Sequence, residues 1–600
     1  MEELVFGYID KVSNGAPIKK QSLLFTNEYE VSLKTDKVGR IENIIINPIE
    51  NILDDLYPKC IQNINVLVGI NGSGKTTLLD ILGSGRHTRK MYQEQWRFFL
   101  LYKVDHNRFV IEGNGLGVIR NIPEMDEFIL EGRGSVSNEY SLEFQYDFST
   151  NKIRNIRYCN SGDWEETRIL YYKDRTDEMY DWQVSEQEYT DAPVFVERKS
   201  IRPSMGAIYK YTQDILGNSF EERKGLINMD NLDIRISFNE QFDFPCNRHK
   251  IDQSNYLSNY LLATAFYLIK YGYYYSVDDK AKKFAEELSN AMRNNSFSYT
   301  DSWMEDVYQA LERYLSDSYE DKTTHLLKKL KEVVGEAPKD YFLQDAFNLV
   351  DFSLETIHFK VNSEENKNIV EVLQLMDEVN ADCQEFYKMQ LSKLSAGETK
   401  TIDVFSSISA NISDEAQHYI VVLDEPDKGM HPELSRSFIE RLVRHAEYLN
   451  KQHGCTFQFV ITTHSPYFLS DVPKDNIHCL IRNEKGVAVE NSKMGLLSCI
   501  PDIMRNTFFL NSPFGERANY YFSVLQKRID NLTKEGNYRY ELERLQKIID
   551  DLDEPTIKMF LKNALDSKIK EFVNIDSRVR QELIEYHQRE IARLKGQKND

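Results

Sequence analysis

The sequence has few cysteines, and none are arranged to stabilise a small fold. Its seven cysteines are scattered among 600 residues and form no C-x-x-C pair. This usage argues against a disulfide framework and a cysteine-based zinc site, and it predicts a reducing, cytoplasmic location. The first residues, Met1-Glu2-Glu3-Leu4, also lack the basic and apolar segments of a signal peptide.

Long hydrophobic runs are absent as well. The longest apolar run covers residues 260–269 and includes Thr264, so it is too short to cross a bilayer. A transporter with a fused membrane domain is therefore excluded, and we expect no membrane partner. This pattern alone does not exclude a transporter subunit whose membrane domain is a separate chain.

An excess of positive charge is missing too. The chain has 74 basic and 95 acidic residues and a net charge of −21. Proteins that coat nucleic acid non-specifically are usually basic, so possible contacts with DNA would have to come from a local patch. The alternative for each candidate patch is a solvated face whose lysine stems cover apolar surface. The candidates are Arg86, Arg89, Lys90 and Arg97; Arg198, Lys199 and Arg202; and Lys328, Lys329 and Lys331.

A phosphate-binding loop is the strongest positive feature. Residues 69–76 read GINGSGKT and match the P-loop pattern G-x-x-x-x-G-K-[ST] between an apolar strand at 64–68 and a helix at 77–82. Backbone N–H groups and the helix N-terminus would bind phosphate oxygens. Lys75 would reach the β- and γ-phosphates and Thr76 would ligate Mg²⁺, so the pattern predicts ATP and Mg²⁺ as ligands. The predicted binding residues are Asn71, Gly72, Ser73, Gly74, Lys75, Thr76 and Thr77.

Two apolar segments far along the chain end in polar residues. Residues 419–423 predict a buried parallel strand that ends at Asp424 and Glu425. Asp424 would hold Mg²⁺ as a Walker B aspartate does, and Glu425 would polarise the attacking water. Residues 457–463 predict a second buried strand that ends at His464.

A third segment, Leu394-Ser395-Ala396-Gly397-Glu398, opens a helix with apolar residues at 402, 405 and 408. Ser395 with Glu398 three residues later is the pattern of a capping box. A helix N-terminus aimed across a dimer interface can also bind the γ-phosphate of a partner. The two roles are compatible.

In chain order the motifs are the P-loop, Leu-Ser-Ala-Gly-Glu at 394–398, Asp-Glu-Pro at 424–426 and Thr-Thr-His-Ser-Pro at 462–466. In this order they resemble the ABC-type ATPase superfamily within the AAA-like ATPases. The resemblance implies that Ser395, Gly397 and Glu398 form the signature motif, that Glu425 is the catalytic base and that His464 is the switch histidine. It also implies a homodimer or higher oligomer that shares its ATP sites. Leu-Ser-Ala-Gly-Glu and the segment Asp-Lys-Gly-Met-His-Pro at 427–432 are similar to the soluble DNA-associated branch, which includes RecF-like, chromosome-maintenance and overcoming-lysogenization-defect ATPases.

The region after His464 resembles a narrower group, the ATPases of Septu and retron-associated antiphage systems. The resemblance rests on residues 464 to about 565, including Asp553-Glu554-Pro555, Lys558 and Leu561. It implies that the ATPase regulates a partner nuclease of HNH type encoded nearby. A DNA repair or recombination ATPase that binds DNA directly is the alternative. An intrinsic Toprim nuclease would need Asp551-Leu552-Asp553 in a strand context, whereas the flanking sequence predicts helices.

The resemblance and the spacing of the motifs predict an α/β fold. The predicted fold is a P-loop NTPase with an ABC-type ATPase core, an N-terminal antiparallel sheet, a large mostly helical insertion and a helical C-terminal tail. We divide the chain into a first core half at 1–96, an inserted lobe at 97–350, a second core half at 351–500 and a helical region for assembly or partner docking at 501–600.

The insertion itself predicts short strands at 108–111 and 140–144, then an aromatic-rich helical part at 251–350. A single alternating strand at 352–361 would return the chain to the core. A glutamine that completes the Mg²⁺ ligation should also follow the P-loop. Gln145 and Gln213 are both candidates, and the sequence does not choose between them.

Overall fold

The structure is a computed structural model that describes most of the chain outside its centre. The described residues are 2–13, 17–92, 94–131, 138–159, 166–173, 196–217, 233–238, 325–326, 328–329, 349–353, 356–360, 367–383, 387–392, 394–484, 486–508, 512, 514–533 and 537–596. They belong to two compact units, Met1–Phe508 and Phe509–Asp600. The aromatic-rich part predicted to be helical lies almost entirely outside the described residues.

The first unit contains all the strands of the described residues. In chain order they are β1 Glu3–Val12, β2 Ile18–Leu24, β3 Tyr29–Thr35, β4 Ile41–Pro48, β5 Ile61–Gly69, β6 Trp96–Asp105, β7 Arg108–Asn114, β8 Glu139–Asp147, β9 Lys152–Tyr158, β10 Thr167–Tyr172, β11 Glu197–Ile201, β12 Asp233–Phe238, β13 Leu349–Ser353, β14 Thr356–Lys360, β15 Tyr387–Ser392, β16 His418–Leu423, β17 Thr456–Thr462, β18 Ile477–Asn483 and β19 Gly486–Asn491.

Helices of both units complete the described secondary structure. Those of the first unit are α1 Lys75–Gly83, α2 Arg86–Met91, α3 Pro123–Glu131, α4 Met205–Gly217, α5 Lys367–Cys383, α6 Ala396–Ser409, α7 Pro432–His453, α8 Pro466–Leu469 and α9 Ile500–Asn506. Those of the second unit are α10 Glu516–Asp530, α11 Tyr538–Asp550 and α12 Pro555–Gly596.

A 13-stranded sheet organises the first unit, in the order β11-β10-β16-β17-β5-β18-β19-β2-β1-β6-β7-β8-β9. Neighbours from β11 to β18 are parallel. Neighbours from β2 to β9 are antiparallel. A four-stranded sheet, β13-β14-β12-β15, and the pair β3-β4 are separate. This large α/β sheet with a parallel half is the kind of fold expected of a P-loop NTPase.

The central parallel strands β5, β16 and β17 are mostly apolar and almost entirely buried, because both faces of the sheet are covered. Ile64 and Val66 of β5 pack in one core with Phe405 of α6. Leu67 points to the opposite core, where it packs with Leu79 of α1. A strand buried on both faces loses the alternation of polar and apolar residues, which is why these segments read as continuous apolar runs.

Two details of the predicted insertion differ from the structure. Residue 97 is not a structural break, because β6 pairs along its length with β1 and extends the sheet of the core. The single strand predicted at 352–361 is instead divided between two antiparallel strands, β13 and β14, in which Phe352 pairs with Ile357. The sequence between them, Leu354-Glu355, has none of the usual turn residues, so the pattern gave no signal of two strands. The remaining domain boundaries stay predictions.

The second unit is built from α10, α11 and α12 around a small apolar core. Its buried residues are Leu525, Ile529, Leu532, Leu545, Ile549, Leu561 and Leu565. Asp551 and Asp553 lie between α11 and α12, and the described residues of this unit include no strand. The strand context of a Toprim site is therefore absent from this described part. No described helix in either unit is long and apolar enough to cross a membrane.

Candidate nucleotide site

The parallel half of the sheet brings the distant motifs to one edge. Strands β10, β16, β17, β5 and β18 run in the same direction, so their carboxyl ends meet at that edge. Ligands of open α/β sheets bind at this position. We name as the phosphate edge the P-loop at 69–76 with Asp424, Glu425 and His464.

The P-loop glycines allow the backbone to form a tight cradle. Gly72 and Gly74 have φ angles of 73° and 93°, in the left-handed region that favours glycine. A Cβ added at Gly69 would lie 2.5 Å from the Ser73 Oγ atom, so the loop has no room for a side chain there. The Ser73 hydroxyl is buried and has no hydrogen-bond partner among the described residues. This donor and the loop fit an anionic ligand.

Lys75 lies at the start of α1 and points into the site. Its Nζ atom donates a hydrogen bond of 3.0 Å to the Gly69 carbonyl and lies 3.0 Å from the His464 Nε2 atom. The same His464 nitrogen lies 3.2 Å from a Glu425 carboxylate oxygen. Burial lowers the pKa of Lys75, and the nearby carboxylates of Glu425 and Asp424 oppose that shift. The lysine, histidine and glutamate predicted from three distant segments thus converge.

Thr76 and Asp424 form the part of the site that could hold a cation. The Thr76 hydroxyl donates to one Asp424 oxygen at 3.1 Å, and the Thr462 hydroxyl donates to the other at 2.6 Å. Burial raises the pKa of Asp424, while these two hydrogen bonds lower it. Hydroxyl and carboxylate oxygens side by side are the hard ligands that Mg²⁺ prefers, so the pair fits the predicted metal.

Glu425 has a strained backbone. Its φ angle of 44° lies in the left-handed region, which is unusual for a residue other than glycine. The Glu425 N–H donates to the Thr462 hydroxyl at 2.9 Å, which holds the turn at the end of β16. Such strain clusters where a side chain must be presented in a fixed direction. Here the carboxylate is presented to His464.

The predicted signature segment forms the capping box at the start of α6. The Glu398 N–H donates to the Ser395 hydroxyl, and the Ser395 N–H donates to a Glu398 carboxylate oxygen at 2.8 Å. A Cβ added at Gly397 would lie 2.8 Å from the Met430 Cα atom, so the glycine is needed for close packing against the loop that follows Glu425. Ser395 itself is exposed.

Lys173, a residue that the sequence did not single out, lies near Asp424 at the end of β10. The Asp424 N–H donates to the Tyr172 carbonyl at 2.9 Å. The Lys173 Nζ atom, one residue further on, lies 3.4 Å from the carboxylate of Asp80 on α1. The Tyr171 hydroxyl donates to the same carboxylate at 2.8 Å. The sequence gave no signal for Lys173, because nothing in it showed that β10 is parallel to β16.

The two candidate glutamines lie elsewhere in the first unit. Gln145 is on β8 in the antiparallel half and accepts a hydrogen bond of 2.7 Å from Asn155. Gln213 is buried on α4, where its side chain donates to the Tyr209 hydroxyl at 2.9 Å. A Mg²⁺ ligand role for either residue stays a prediction.

Asp427 connects the loop after Glu425 to the histidine loop. The Thr463 hydroxyl donates to the Asp427 carboxylate at 2.8 Å, and the Ser465 N–H donates to the Thr463 hydroxyl at 2.8 Å. The residues on both sides of His464 are therefore tied to Asp427, whose pKa is raised by burial. A cavity of about 300 Å³ adjoins them, lined in part by Glu425, Lys428 and Tyr467.

Two of the basic residues considered for DNA contact, Arg89 and Arg198, form buried ion pairs within the protein. Arg198 donates two hydrogen bonds, at 2.8 and 2.9 Å, to the buried Glu112 carboxylate, and Arg89 donates to it at 2.5 Å. These three residues are named the Glu112 cluster below. The surface role considered for Arg89 and Arg198 is wrong, because both side chains are buried. Charge runs in a sequence do not show which guanidiniums have a buried partner.

Other basic candidates have partners at the surface or lie beyond the described part. Arg97 lies 2.9 Å from Asp10, and Lys329 lies 2.6 Å from Glu378. The side chains of Arg86 and Lys90, and all of residue 331, lie outside the described residues.

A phosphate-binding loop, a strand that ends in two carboxylates and a strand that ends in a histidine, all at one edge of a parallel sheet, define a P-loop NTPase. The chain belongs to the family described as "AAA domain, putative AbiEii toxin, Type IV TA system", whose model matches residues 64–470. That match covers more than half of the 600 residues. The protein is thus a P-loop ATPase of the AAA type. No curated protein matches the chain.

Proposed function

We propose that this ATPase works as a head-to-tail dimer of ABC type and controls a partner nuclease in antiphage defence. One observation carries the dimer: Ser395 caps α6 at an exposed position, while Gly397 fixes the same helix end against the loop that follows Glu425. The free N–H groups of a helix N-terminus bind anions. A γ-phosphate held by a second copy could therefore contact Ser395 and affect the catalytic loop directly.

Each residue of the phosphate edge has a chemical role in this proposal. Lys75 and the P-loop amides neutralise phosphate charge, and Thr76 with Asp424 would hold Mg²⁺, which would supply further charge stabilisation. Glu425 accepts a proton from water, and His464 lies between that carboxylate and Lys75. Most of the rate would come from positioning and electrostatics, because phosphoryl transfer needs little covalent help from the protein.

Complementation between two inactive variants tests the shared site. Ser395→Arg blocks the partner side of the site, and Lys75→Ala removes the phosphate-binding lysine. Each variant alone should lose ATP hydrolysis, whereas a mixture should regain activity, because a heterodimer contains one site with an intact Lys75 and an intact Ser395. The control is Ser32→Arg, which changes an exposed serine on β3, outside residues 501–600, and should change nothing. No recovery on mixing, or hydrolysis by monomers in light scattering, would refute the dimer.

The separate nuclease is supported by what the described residues contain. Among them, no group of three His, Cys, Asp or Glu side chains could hold a catalytic metal ion. The described residues of the second unit are helical, with no site residue from the phosphate edge. Alternating charge with apolar stripes on such helices suits docking to another protein. We assign that role to residues 501–600.

A plasmid cleavage assay with Mg²⁺ or Mn²⁺, with and without ATP, tests whether the nuclease is a separate protein. The purified chain alone should not cut DNA, and a nuclease co-purified with it and identified by mass spectrometry should cut. Nicking by the chain alone that survives Glu425→Gln but is lost in Asp551→Ala/Asp553→Ala would place the nuclease in this protein. ATP-dependent DNA binding by the isolated chain would instead favour the repair or recombination ATPase.

A further inference from the structure

A second cation lies beside the P-loop, on strand β18. This strand is the parallel neighbour of β5, with Leu480 paired to Gly69 at the start of the P-loop. Arg482 follows two residues later, still within β18. A Cβ added at Gly72 would lie 3.6 Å from an Nη atom of Arg482. The guanidinium therefore reaches the middle of the phosphate-binding loop.

The position of Arg482 differs from that of Lys75. Lys75 approaches from α1 and is buried, with its amine already bound to the Gly69 carbonyl. Arg482 is exposed, and among the described residues its guanidinium has no hydrogen bond or ion pair. An arginine with no carboxylate partner, held beside a phosphate-binding loop, has no counter-charge of its own among the described residues. A phosphate group bound in the loop would supply that counter-charge.

The neighbouring strand β19 keeps the arginine in this position. Arg482 pairs with Val487 on β19, and Gly486 on the same strand lies against Pro17, whose carbonyl would lie 2.5 Å from a Cβ added there. Arg482 is thus on a paired strand, two residues beyond the last pair with β5. A planar guanidinium on a fixed backbone is suited to two parallel hydrogen bonds with phosphate oxygens.

We propose that Arg482 is an additional nucleotide-binding residue that contacts the phosphate chain of the nucleoside triphosphate from the β18 side of the P-loop. The proposal depends on nucleotide binding at the phosphate edge. It is independent of the dimer and of the partner nuclease. Arg482 acts on binding, so its loss should raise KM for ATP by the same factor as Kd and leave kcat nearly unchanged.

The test measures binding of a fluorescent ATP analogue to the full chain and its variants Arg482→Ala, Arg482→Gln and Arg482→Lys. Loss of a charge-assisted hydrogen bond should raise Kd by roughly tenfold or more in the alanine and glutamine variants. Lysine keeps the charge without the planar fork, so it should recover part of the affinity. The dependence of Kd on salt concentration should be weaker in the alanine variant, because one ion contact is missing. Arg120→Ala, which removes an exposed arginine before α3, is the matched control.

The outcomes separate this inference from the proposed function. If the wild-type chain does not bind the nucleotide, nucleotide binding itself fails. If it binds and Arg482→Ala binds equally well, or if Arg120→Ala loses as much affinity, the role of Arg482 is refuted. Unchanged thermal unfolding of the Arg482 variants confirms that the fold is intact, since the side chain is exposed.

Discussion

Two regions of the first unit bury ionised side chains, and they treat them in opposite ways. In the Glu112 cluster the carboxylate of Glu112 receives hydrogen bonds from two buried arginines, and Arg198 also donates to the Leu82 carbonyl and the Tyr102 hydroxyl. At the phosphate edge, Lys75 has no direct carboxylate partner among the described residues and contacts the Gly69 carbonyl and His464. The charges of the Glu112 cluster are paired within the protein, whereas we propose that the charge of Lys75 is paired by a phosphate ligand.

The pKa values of the buried carboxyl groups also differ between the two regions. Burial alone would raise the pKa of Glu112, but Arg198 and Arg89 outweigh it and lower the pKa to about 2. For Asp424 and Asp427 burial prevails, and the pKa of each is raised. A paired buried charge indicates a structural role, whereas an incompletely paired one in a cleft indicates a functional site. The following changes test that distinction.

The largest effect is expected for Glu112→Gln. The amide keeps the shape but leaves two buried guanidiniums without a counter-charge, so the free energy of unfolding should fall by about 3–5 kcal/mol. Urea denaturation measures the loss. The wild-type contribution of Glu112 is present above its unfolded pKa of about 4.5 and disappears as the pH falls toward 2. Glu28→Gln, which breaks a pair whose glutamate is 54% exposed, is the control and should cost less than about 1 kcal/mol. Equal losses of unfolding free energy in Glu112→Gln and Glu28→Gln would contradict the structural role of the Glu112 cluster.

Glu425→Gln should instead reduce catalysis strongly and leave stability nearly unchanged. An amide cannot accept a proton from water, so kcat for ATP hydrolysis should fall by at least ~10²-fold while ATP binding is retained. The free energy of unfolding should change by less than about 0.5 kcal/mol, because no internal ion pair of the Glu112 kind is broken. Steady-state hydrolysis and urea denaturation together check both statements. Glu440→Gln, an exposed glutamate on α7, serves as the control. Wild-type turnover in Glu425→Gln would show that the base has been wrongly assigned.

Asp427→Asn tests whether the contact to Thr463 positions His464. Weakening this hydrogen bond should lower kcat roughly tenfold, which corresponds to about 1.4 kcal/mol, with little change in the Kd for ATP. Thr463→Val should have a similar effect. The double variant should be no worse than either single one, because both changes remove the same contact. The positioning role would be contradicted if the losses in kcat of the two single variants added up in the double variant. An equal loss in the exposed control Asp475→Asn would contradict it as well.

The smallest effect concerns His478, which is buried on β18 but away from the carboxyl end of that strand. Burial lowers its pKa from 6.5 to about 4. Below pH 6.5 the unfolded chain therefore binds a proton that the folded chain does not, and stability falls as the pH drops from 6.5 toward 4. Between pH 6.5 and 5.5 this residue should cost about 1 kcal/mol. Urea denaturation of His478→Gln should show a shallower dependence on pH, while the exposed control His106→Gln should follow the wild type. Identical slopes in all three proteins would show that His478 does not contribute.

Much of the nucleotide site could be predicted from the sequence, because its residues lie in short segments with local rules. The P-loop pattern gave Lys75 and Thr76 because the glycines, the strand before them and the helix after them are adjacent in the chain. The continuous apolar runs placed Asp424 and His464 at strand ends, and the structure has those strands. The capping box at Ser395 also follows from neighbours in sequence, and it is present.

Other features were decided only by the tertiary structure. Strand order placed Lys173 beside Asp424 and Arg482 beside Gly72, since pairing between parallel strands depends on crossovers that no local pattern specifies. The burial of Arg198 depended on Glu112, which is 86 positions earlier in the chain. The sequence by itself determined the P-loop pattern and the acids and histidine at strand ends, to which we assign phosphate and Mg²⁺ binding, because backbone conformation and side-chain chemistry are local. Which charges are paired within the protein was decided by packing, because a charge finds its partner only when distant segments meet.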